Sequence, residues 1–320
     1  MDGGGAGRLM AGNVGITLTP PVSASTDPGN TVDDVVGRAR AAAATGVGSA
    51  WIGQRPDLDA TLLAAVVGRE VPELTVGVSV VPIFTRHPLV TASAALTAQA
   101  ATHGRFRLGL GLGAAFMTEP VYGVPHVRPV DRLREYLTVL RSVFAGDAVD
   151  HHGAELTAAA SGVGTAGARP AVPLYVAAMA PRTLQVSGEL ADGILPYLAA
   201  PEVLAEHVVP ALTAAADAAG RPRPRVVAFV PAAVVTDPDA ARDAVTTSLT
   251  RYGAVPSYRR VLDLAGVDSA VELALLGDEQ AVADGVRGYL DAGADEVVLS
   301  VLDGAEPDAA QRTWALAGEL

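Results

Sequence analysis

A strand–helix–strand pattern over residues 74–113 constrains the fold of this chain more than any other feature. Two β-rich runs, Leu74–Val81 and Phe106–Leu112, flank a segment with helical periodicity that begins at Pro88 and ends before Gly104. Proline is tolerated in the first turn of a helix, and glycine commonly follows its end. A unit of this length joins two parallel strands through a crossover helix, and ligands bind at the carboxyl ends of such strands.

Six further runs of the chain agree with a parallel sheet, because most of them are continuous and apolar, as in strands buried on both faces. In total, eight runs are predicted as strands: Asn13–Thr19, Ser49–Gly53, Leu74–Val81, Phe106–Leu112, Val172–Ala178, Gly193–Tyr197, Val226–Val235 and Glu296–Val301. A glycine that ends a helix before the next run recurs at Gly46 and Gly293. Eight such cycles favour the α/β class and a parallel, eight-stranded (βα)8 TIM barrel with insertions over an open doubly wound sheet.

Capping residues and prolines predict where the helices between these strands begin. Thr31 is predicted to cap a helix that stops near Gly46, and Asp59 and Asp278 are predicted to cap two others. Proline opens the remaining helical patterns, at Pro88, Pro129, Pro201 and Pro238.

The domain organisation predicted from composition is simple. Residues 1–12 are glycine-rich without an apolar core, so we expect a disordered leader and not a signal peptide. Residues 13–320 are expected to form a single barrel domain. It carries insertions near 145–170 and near 236–277. The first is polar and rich in glycine and alanine, which is typical of a functional or mobile loop, and the second carries extra helices.

Charge and composition exclude several classes of protein. The net charge is −12, which disfavours nucleic acid as a partner, because phosphate binding needs a basic face. No apolar run approaches the roughly 20 residues of a membrane span, so we expect a cytoplasmic protein without a membrane partner. Cysteine and lysine are both absent, which removes thiolate and Schiff-base chemistry. Arginine as the only strongly basic residue, with abundant alanine and glycine, suggests a GC-rich and actinobacterial source.

Metal and hydrolase sites are not predicted. His126, His151 and His152 are candidates for a metal site with Asp150, but no HExxH or similar ligand motif joins them. No GxSxG nucleophile motif occurs either. We therefore expect no metal ion and no serine nucleophile.

Three short motifs lie at or just after the ends of predicted strands, and each leaves two interpretations. Thr85–Pro88 either places Arg86 and His87 at the active rim or forms a helix-capping turn. The alternating glycines of 109–113 either make room for a ligand or allow close packing. Ala177–Pro181 either leaves backbone N–H groups open to an anion or packs tightly.

Several short motifs, in their order and spacing along the chain, resemble those of the luciferase-like monooxygenase superfamily. Within it, the chain looks closest to the branch that uses the deazaflavin coenzyme F-420. The matching segments are 49–54 (SAWIGQ), 85–88 (TRHP), 104–111 (GRFRLGLG), 133–137 (LREYL), 191–193 (ADG), 256–259 (PSYR) and 276–279 (LGDE). The resemblance covers some 300 residues, from about Asn13 onward. It implies a (βα)8 barrel with the deazaflavin across the carboxyl-end mouth.

The resemblance also implies which residues hold the coenzyme and substrate. A bulge with a non-prolyl cis peptide ends the third strand in relatives, and Ser79–Val80 is the matching position here. The implied coenzyme-binding residues are Ser79, Val80, Val81, Gly111, Gly113, Ala114, Ala178, Met179 and Ala180. Gln54, Arg55 and His87 are the implied catalytic residues, the first two at the border of the substrate.

This chain departs from the family pattern at the reaction centre. Gln54-Arg55 stands where many relatives carry an Asp-His pair, and Ala114-Ala115 stands where relatives carry glutamate or Ser-His. The remaining candidates for a general acid are Arg55, Asp57, Tyr122 and His126. Proton delivery from water or from the substrate is the alternative.

The predicted function is that of an F-420-dependent oxidoreductase. It is expected to transfer hydride between the deazaflavin C5 and an activated C=C, C=N or C=O bond of a small-molecule substrate. Two alternatives stay open: an FMN-dependent two-component monooxygenase, and a redox-inactive barrel with a biosynthetic role. Relatives are often dimers, so a homodimer is a further expectation from the resemblance.

Overall fold

The computed structural model describes residues 13–18, 20, 29–302 and 304–320. In chain order its strands are β1 Val14–Thr17, β2 Ser49–Ile52, β3 Thr75–Pro82, β4 Phe106–Gly111, β5 Val149–His152, β6 Thr157–Ala160, β7 Leu174–Val176, β8 Gly193–Ile194, β9 Arg225–Val234, β10 Leu275–Gly277 and β11 Glu296–Val301. The predicted leader, residues 1–12, and Thr19 lie outside the described residues.

Eight parallel strands close into a barrel in the order β1-β2-β3-β4-β7-β8-β9-β11. Closure comes from the pairing of β8 with β9 and of β11 with β1, where Val14 is opposite Val297. The predicted (βα)8 barrel is therefore confirmed, and each of the eight predicted strands corresponds to one barrel strand. Because all eight run the same way, their carboxyl ends meet at one mouth.

Helices surround the barrel. They are α1 Thr31–Ala44, α2 Ala60–Glu70, α3 Pro88–Ala101, α4 Ala115–Tyr122, α5 Pro129–Ala145, α6 Pro181–Leu190, α7 Pro201–Val203, α8 Val209–Ala218, α9 Pro238–Thr250, α10 Pro256–Ala265, α11 Glu279–Asp291 and α12 Ala309–Glu319. The predicted caps Asp59 and Asp278 accept N–H groups of the first turn. The cap of α1 is Asn30, not Thr31, because the Asn30 side chain accepts the N–H groups of Val32 and Asp33.

Apolar side chains form two layers, one between the barrel and the helices and one inside the barrel. The inner layer contains Trp51, Tyr175, Val227, Phe229 and Val298, all buried. The Trp51 ring lies 5.6 Å from the ring of Tyr175 and 5.5 Å from that of Phe229, edge to face in both cases. Gly77 on the neighbouring strand makes room for the indole, since a Cβ there would lie 2.3 Å from it.

A buried carboxylate lies below this aromatic layer, at the amino ends of the strands. Glu296 of β11 is 1 % exposed. It accepts hydrogen bonds from the Ser49 hydroxyl at 2.6 Å and the Trp51 indole N–H at 3.3 Å. Arg107 of β4 donates to the other carboxylate oxygen at 2.6 Å. The interaction joins β2, β4 and β11 across the barrel interior.

The 145–170 insertion is more ordered than the prediction of a loop suggests. It contains an antiparallel hairpin of β5 and β6, in which Asp150 is opposite Ala159. The Glu135 carboxylate on α5 accepts the N–H groups of Ala154, Glu155 and Leu156 at 2.9–3.2 Å, and His151 lies 3.3 Å away. These bonds supply the order that the composition of the segment did not indicate.

The 236–277 insertion is helical, as predicted, and also contributes the strand β10. Between α9 and α10 lies a 3-10 turn, Arg251–Ala254, and β10 pairs with the carboxyl end of β9. Leu198, Leu249 and Leu262 pack in an apolar cluster of their own. That cluster fixes the insertion against the barrel mouth.

None of the described helices is both long enough and apolar enough to cross a membrane.

Replacing Glu296 tests the importance of the interaction inside the barrel. Glu296→Ala leaves the Arg107 guanidinium without its buried partner, so the free energy of unfolding is expected to fall by about 3–5 kcal/mol. Urea denaturation at neutral pH measures the change. The matched control is the exposed Glu319→Ala, which is expected to change stability by less than about 0.5 kcal/mol. Equal effects in the two variants would contradict the structural role of Glu296.

Glu135 is expected to stabilise the hairpin in a pH-dependent way. Burial opposes ionisation, but hydrogen bonds from His151, Leu156, Glu155 and Ala154 hold the pKa of Glu135 below its usual value. A carboxyl whose pKa is lowered on folding adds stability above the unfolded pKa of about 4.3 and loses that contribution as the pH falls through the folded pKa. Glu135→Gln is therefore expected to cost about 2 kcal/mol at pH 7 and progressively less below pH ~4.

The control for Glu135→Gln is Glu206→Gln, which replaces an exposed carboxylate in the π-helical turn Leu204–Val208, between α7 and α8. Denaturant unfolding measured from pH 3 to pH 8, in steps of about one unit, compares Glu135→Gln and Glu206→Gln with the wild type. A stability difference for Glu135→Gln that does not change with pH would show that the carboxylate charge is not what holds the hairpin.

Candidate functional site

A cavity of about 440 Å³ opens at the carboxyl ends of the barrel strands. Thr17, Gly53, Ser79, Val80, Ala177, Ser300, Val301 and Leu302 line it from the strand ends, Leu195 and Phe229 from below, and Tyr197, Ser248, Leu249, Tyr252 and Tyr258 from one side. Ligand sites of barrels of this kind lie at this end. The cavity is therefore the candidate site.

The floor of the cavity is the upper surface of the aromatic layer inside the barrel. Phe229 lines the cavity and contacts Trp51, which in turn donates its indole N–H to Glu296. The floor is thus supported by buried packing and by a charged group that lies outside the cavity itself.

The end of β3 forms one edge of the cavity. The peptide bond between Ser79 and Val80 is cis, at the position that the family resemblance implied. The pairing of β3 with β4 shifts between Val78 and Val81, which is a β-bulge at the same place. Ser79 and Val80 thereby both line the cavity, whereas Val81 is fully buried behind them.

One side of the cavity is a wall of three tyrosines, Tyr197, Tyr252 and Tyr258, which we call the tyrosine wall. Each ring packs edge to face on the other two, with centroid distances of 5.1–5.9 Å. Tyr197 follows β8, Tyr252 lies in the 3-10 turn, and Tyr258 lies in the first turn of α10. The 236–277 insertion therefore supplies most of one side of the site.

The polar groups of the cavity are hydroxyls. Among the described lining residues none carries a carboxylate, an imidazole or a guanidinium, and the titratable side chains are those of the tyrosine wall. Burial, together with the neighbouring Tyr252, raises the pKa of Tyr258 to about 12. The Tyr258 phenol therefore keeps its proton throughout the physiological pH range.

The seven predicted coenzyme-binding residues other than Ser79 and Val80 do not line the cavity. Gly111 lies behind Val80, since a Cβ on Gly111 would be 2.4 Å from the Val80 side chain. Gly113 and Ala114 lead into α4. Ala178, Met179 and Ala180 follow the lining residue Ala177 and lead into α6.

The predicted catalytic pair Gln54-Arg55 holds a loop together. The Gln54 amide donates to the carbonyls of Arg55 and Leu58 at 2.7 and 2.8 Å and accepts the N–H of Ala60 at 3.1 Å. Arg55 donates to Asp57 at 2.6 and 3.0 Å and to the Pro20 carbonyl at 2.6 Å. The hydrogen bond from Arg55 lowers the pKa of Asp57.

His87 caps a helix, which is the second of its two interpretations. One ring nitrogen accepts the N–H of Leu89 at 3.3 Å and the other donates to the Thr157 carbonyl at 2.9 Å. Both nitrogens are thus used on the outer face, next to the hairpin. Within the part of the chain that the structure describes, His87 does not line the cavity, because its position at the start of α3 directs it toward β6.

The other candidate acids also lie away from the cavity. His126 donates to the Leu112 carbonyl at 3.0 Å and packs on Phe84. Asp57 is paired with Arg55, and Tyr122 is on the exposed surface of α4. No group of three or more potential metal ligands occurs among the described residues.

Sequence reasoning missed the tyrosine wall and Ser248. Segment 256–259, which contains Tyr258, was part of the family resemblance but carried no assigned role. A signal was present, because three of the seven tyrosines fall after β8 and in the insertion, where a wall beside the mouth can form.

Residues 12–296 match the sequence model of the luciferase-like monooxygenase family. A phthiodiolone/phenolphthiodiolone dimycocerosates ketoreductase of Mycobacterium kansasii is 30 % identical over 267 residues, 77 % of this chain and 72 % of that protein. A putative coenzyme F-420-dependent oxidoreductase of Mycobacterium tuberculosis is 30 % identical over 148 residues, 42 % of this chain and 43 % of that protein. A solved F-420-dependent secondary alcohol dehydrogenase, in complex with an F-420-acetone adduct, shares the fold with a TM-score of 0.77 at 19 % identity, over 96 % of this chain and 97 % of that one.

This chain belongs to the luciferase-like monooxygenase family, because the match covers most of its length. The resemblance drawn from the short motifs is thereby confirmed. The fold shared with the solved dehydrogenase agrees with the closed barrel.

Gln54 is expected to act on stability through the loop after β2. Gln54→Ala removes three hydrogen bonds and is expected to lower the free energy of unfolding by about 1–3 kcal/mol. Gln54→Glu keeps the acceptor for Ala60 but places a carboxylate against two carbonyls, so it is expected to cost at least as much. Thermal unfolding measures both, with the exposed Gln280→Ala as control. Unchanged stability in both Gln54 variants would contradict the structural role of Gln54 in the loop and would favour a role at the substrate instead.

Proposed function

We propose that this protein is a coenzyme F-420-dependent oxidoreductase that transfers hydride between the deazaflavin C5 and an activated C=C, C=N or C=O bond of a small organic substrate. The observation that carries the proposal is the uncharged cavity at the barrel mouth, with the bulge at Ser79–Val80 on one edge and the tyrosine wall on the side. Support also comes from the relatives, which include a protein named for this coenzyme.

The described residues fit a planar heterocycle. A cavity of about 440 Å³ is within the usual range for small-molecule sites, roughly 300–1,000 Å³. Val80, Leu195 and Phe229 offer apolar surface for the faces of a ring system, and Ser79 offers polar groups for its edge. Small side chains at Gly53 and Ala177 let a flat ligand approach the backbone.

The anionic tail of the coenzyme has a candidate location next to the cavity. Ala180, at the N-cap of α6, makes no side-chain hydrogen bond to the first turn of that helix. The N–H groups of this turn are therefore not capped by a side chain, and the helix dipole favours a negative charge there. Ala177 joins this helix end to the cavity lining.

The chain positions and shields the reactants in this proposal. When bound, the deazaflavin supplies or accepts a hydride at C5. Val80 and Phe229 would fix the plane of the ring, and the tyrosine wall would limit access of water from the side of the insertion. Holding the reacting carbon close to the ring lowers the barrier by removing the entropy cost of their encounter.

Carbonyl compounds and secondary alcohols are the proposed substrate class. One relative is named a ketoreductase, and the solved dehydrogenase holds an acetone adduct. The described lining offers hydroxyls and apolar groups but no charge, which favours an uncharged substrate over a phosphorylated or carboxylated one.

Coenzyme binding tests the proposed function directly. Oxidised F-420 titrated into Trp314→Phe protein is expected to quench the fluorescence of Trp51, the remaining tryptophan, which lies below the cavity floor. A dissociation constant on the order of micromolar or tighter corresponds to at least about 8 kcal/mol of binding free energy. A parallel titration with FMN tests the alternative cofactor.

The matched controls place one bulky side chain inside the site and one outside it. Ala177→Phe fills the cavity and is expected to weaken F-420 binding by about tenfold or more, which is about 1.4 kcal/mol. Ala211→Phe, on the exposed face of α8, is expected to leave binding unchanged. Binding of FMN but not F-420, or of neither cofactor, would overturn the proposal. So would equal F-420 affinity in the two variants.

A further inference from the structure

The proposed reaction needs a proton donor that the family pattern does not supply in this chain. When a hydride adds to a carbonyl carbon, the C=O electron pair moves to oxygen, and that oxygen must take up a proton. Family positions for such a donor hold Gln54-Arg55 and Ala114-Ala115 here. Gln54 and Arg55 are held in loop hydrogen bonds, and an alanine side chain has no proton to give.

The cavity itself narrows the choice of donor. Its described polar side chains are the hydroxyls of Thr17, Ser79, Ser248 and Ser300, together with the tyrosine wall. Serine and threonine hydroxyls are about as weakly acidic as the product alcohol, so they offer little driving force for proton transfer. A phenol, with an ordinary pKa of about 10, is a much stronger acid than an alcohol and still carries its proton at neutral pH.

Within the tyrosine wall, Tyr258 is the residue placed to donate. Its ring is held between those of Tyr197 and Tyr252, at 5.9 and 5.1 Å, and its backbone lies in the first turn of α10. Its hydroxyl makes no hydrogen bond to any side chain or backbone group in the described residues, although Tyr258 lines the cavity. A polar group held rigidly beside a cavity without a protein partner is available to a ligand.

We propose that Tyr258 is a catalytic residue, whose phenol donates a hydrogen bond and then its proton to the carbonyl oxygen of the substrate. This inference rests on the proposed function. As the new C–H bond forms, the carbonyl π bond breaks toward oxygen, the new O–H bond forms and the Tyr258 O–H bond breaks. The tyrosinate then regains a proton from water. In alcohol oxidation the same steps run in reverse.

The protonation state of the phenol agrees with this role. Burial raises the pKa of Tyr258 to about 12, so the donor form is complete at neutral pH. An alkoxide is a stronger base than such a tyrosinate, and proton transfer to the developing alkoxide is therefore downhill. The edge-to-face packing holds the ring in place, which fixes the position of the phenol oxygen.

Binding of simple ketones tests the inference without turnover. Infrared spectra of cyclohexanone and 2-decanone with the wild type are expected to show a bound carbonyl band shifted to lower frequency, because a hydrogen bond from a phenol weakens the C=O bond. Tyr258→Phe keeps the ring packing but removes the donor, so the bound band is expected to return to the frequency of an unbonded carbonyl. Tyr289→Phe, which removes a buried tyrosine hydroxyl on α11, is the matched control and is expected to behave as wild type.

Turnover gives a second readout. With F-420 and either ketone, Tyr258→Phe is expected to lower kcat by about 10²-fold or more with little change in KM, as for loss of a general acid. F-420 affinity and the melting temperature of the variant are expected to match the wild type. Tyr289→Phe is again the control.

Each outcome bears on Tyr258 separately from the coenzyme. An unchanged carbonyl band in Tyr258→Phe, no uptake of either ketone by the wild type, or loss of the shift in Tyr197→Phe or Tyr252→Phe instead would overturn the inference. The infrared experiment runs without coenzyme, so a failure of F-420 to bind would count against the proposed function alone.

Discussion

The buried carboxylate of Glu296, at the amino ends of the strands, supports the floor of the cavity at their carboxyl ends through Trp51 and Phe229. It accepts hydrogen bonds from Ser49, Trp51 and Arg107, which belong to two other strands, and so fixes the Trp51 indole across the interior. Phe229 packs on that indole and forms part of the cavity floor. A buried ion pair is stable only when its polar atoms are hydrogen-bonded. The position of the cavity floor therefore depends on the hydrogen bonds of Glu296 at the opposite end of the strands.

Local sequence signals were sufficient to predict the barrel strands, but not the hairpin that is inserted between them. Continuous apolar runs such as Phe106–Leu112 and end signals such as Asp59 and Gly293 act through short-range chemistry, and the eight strands follow from them. The hairpin of β5 and β6 depends instead on Glu135, which lies outside it in sequence. A polar, alanine-rich segment that is ordered by a distant carboxylate gives no periodic signal of its own.

The candidate site likewise contains residues that the sequence could place and residues that only the three-dimensional structure reveals. Ser79 and Val80 could be placed by the resemblance, because they lie at a strand end whose position the motifs determine. The Gln54 side chain can either face a substrate or hold a loop, and only its hydrogen bonds in the folded structure distinguish these two roles. The tyrosine wall forms where an insertion folds back over the mouth, a tertiary contact without a local pattern.

The site therefore combines the bulged end of β3 with the tyrosine wall, to which the 236–277 insertion contributes Tyr252 and Tyr258. A crystal structure with F-420 bound tests this arrangement most directly. The account predicts a deazaflavin ring in the cavity, in contact with Ser79 and Val80, with its C5 facing a space that the Tyr258 hydroxyl borders. A ring bound outside the cavity, or one oriented so that C5 points away from the tyrosine wall, would contradict it.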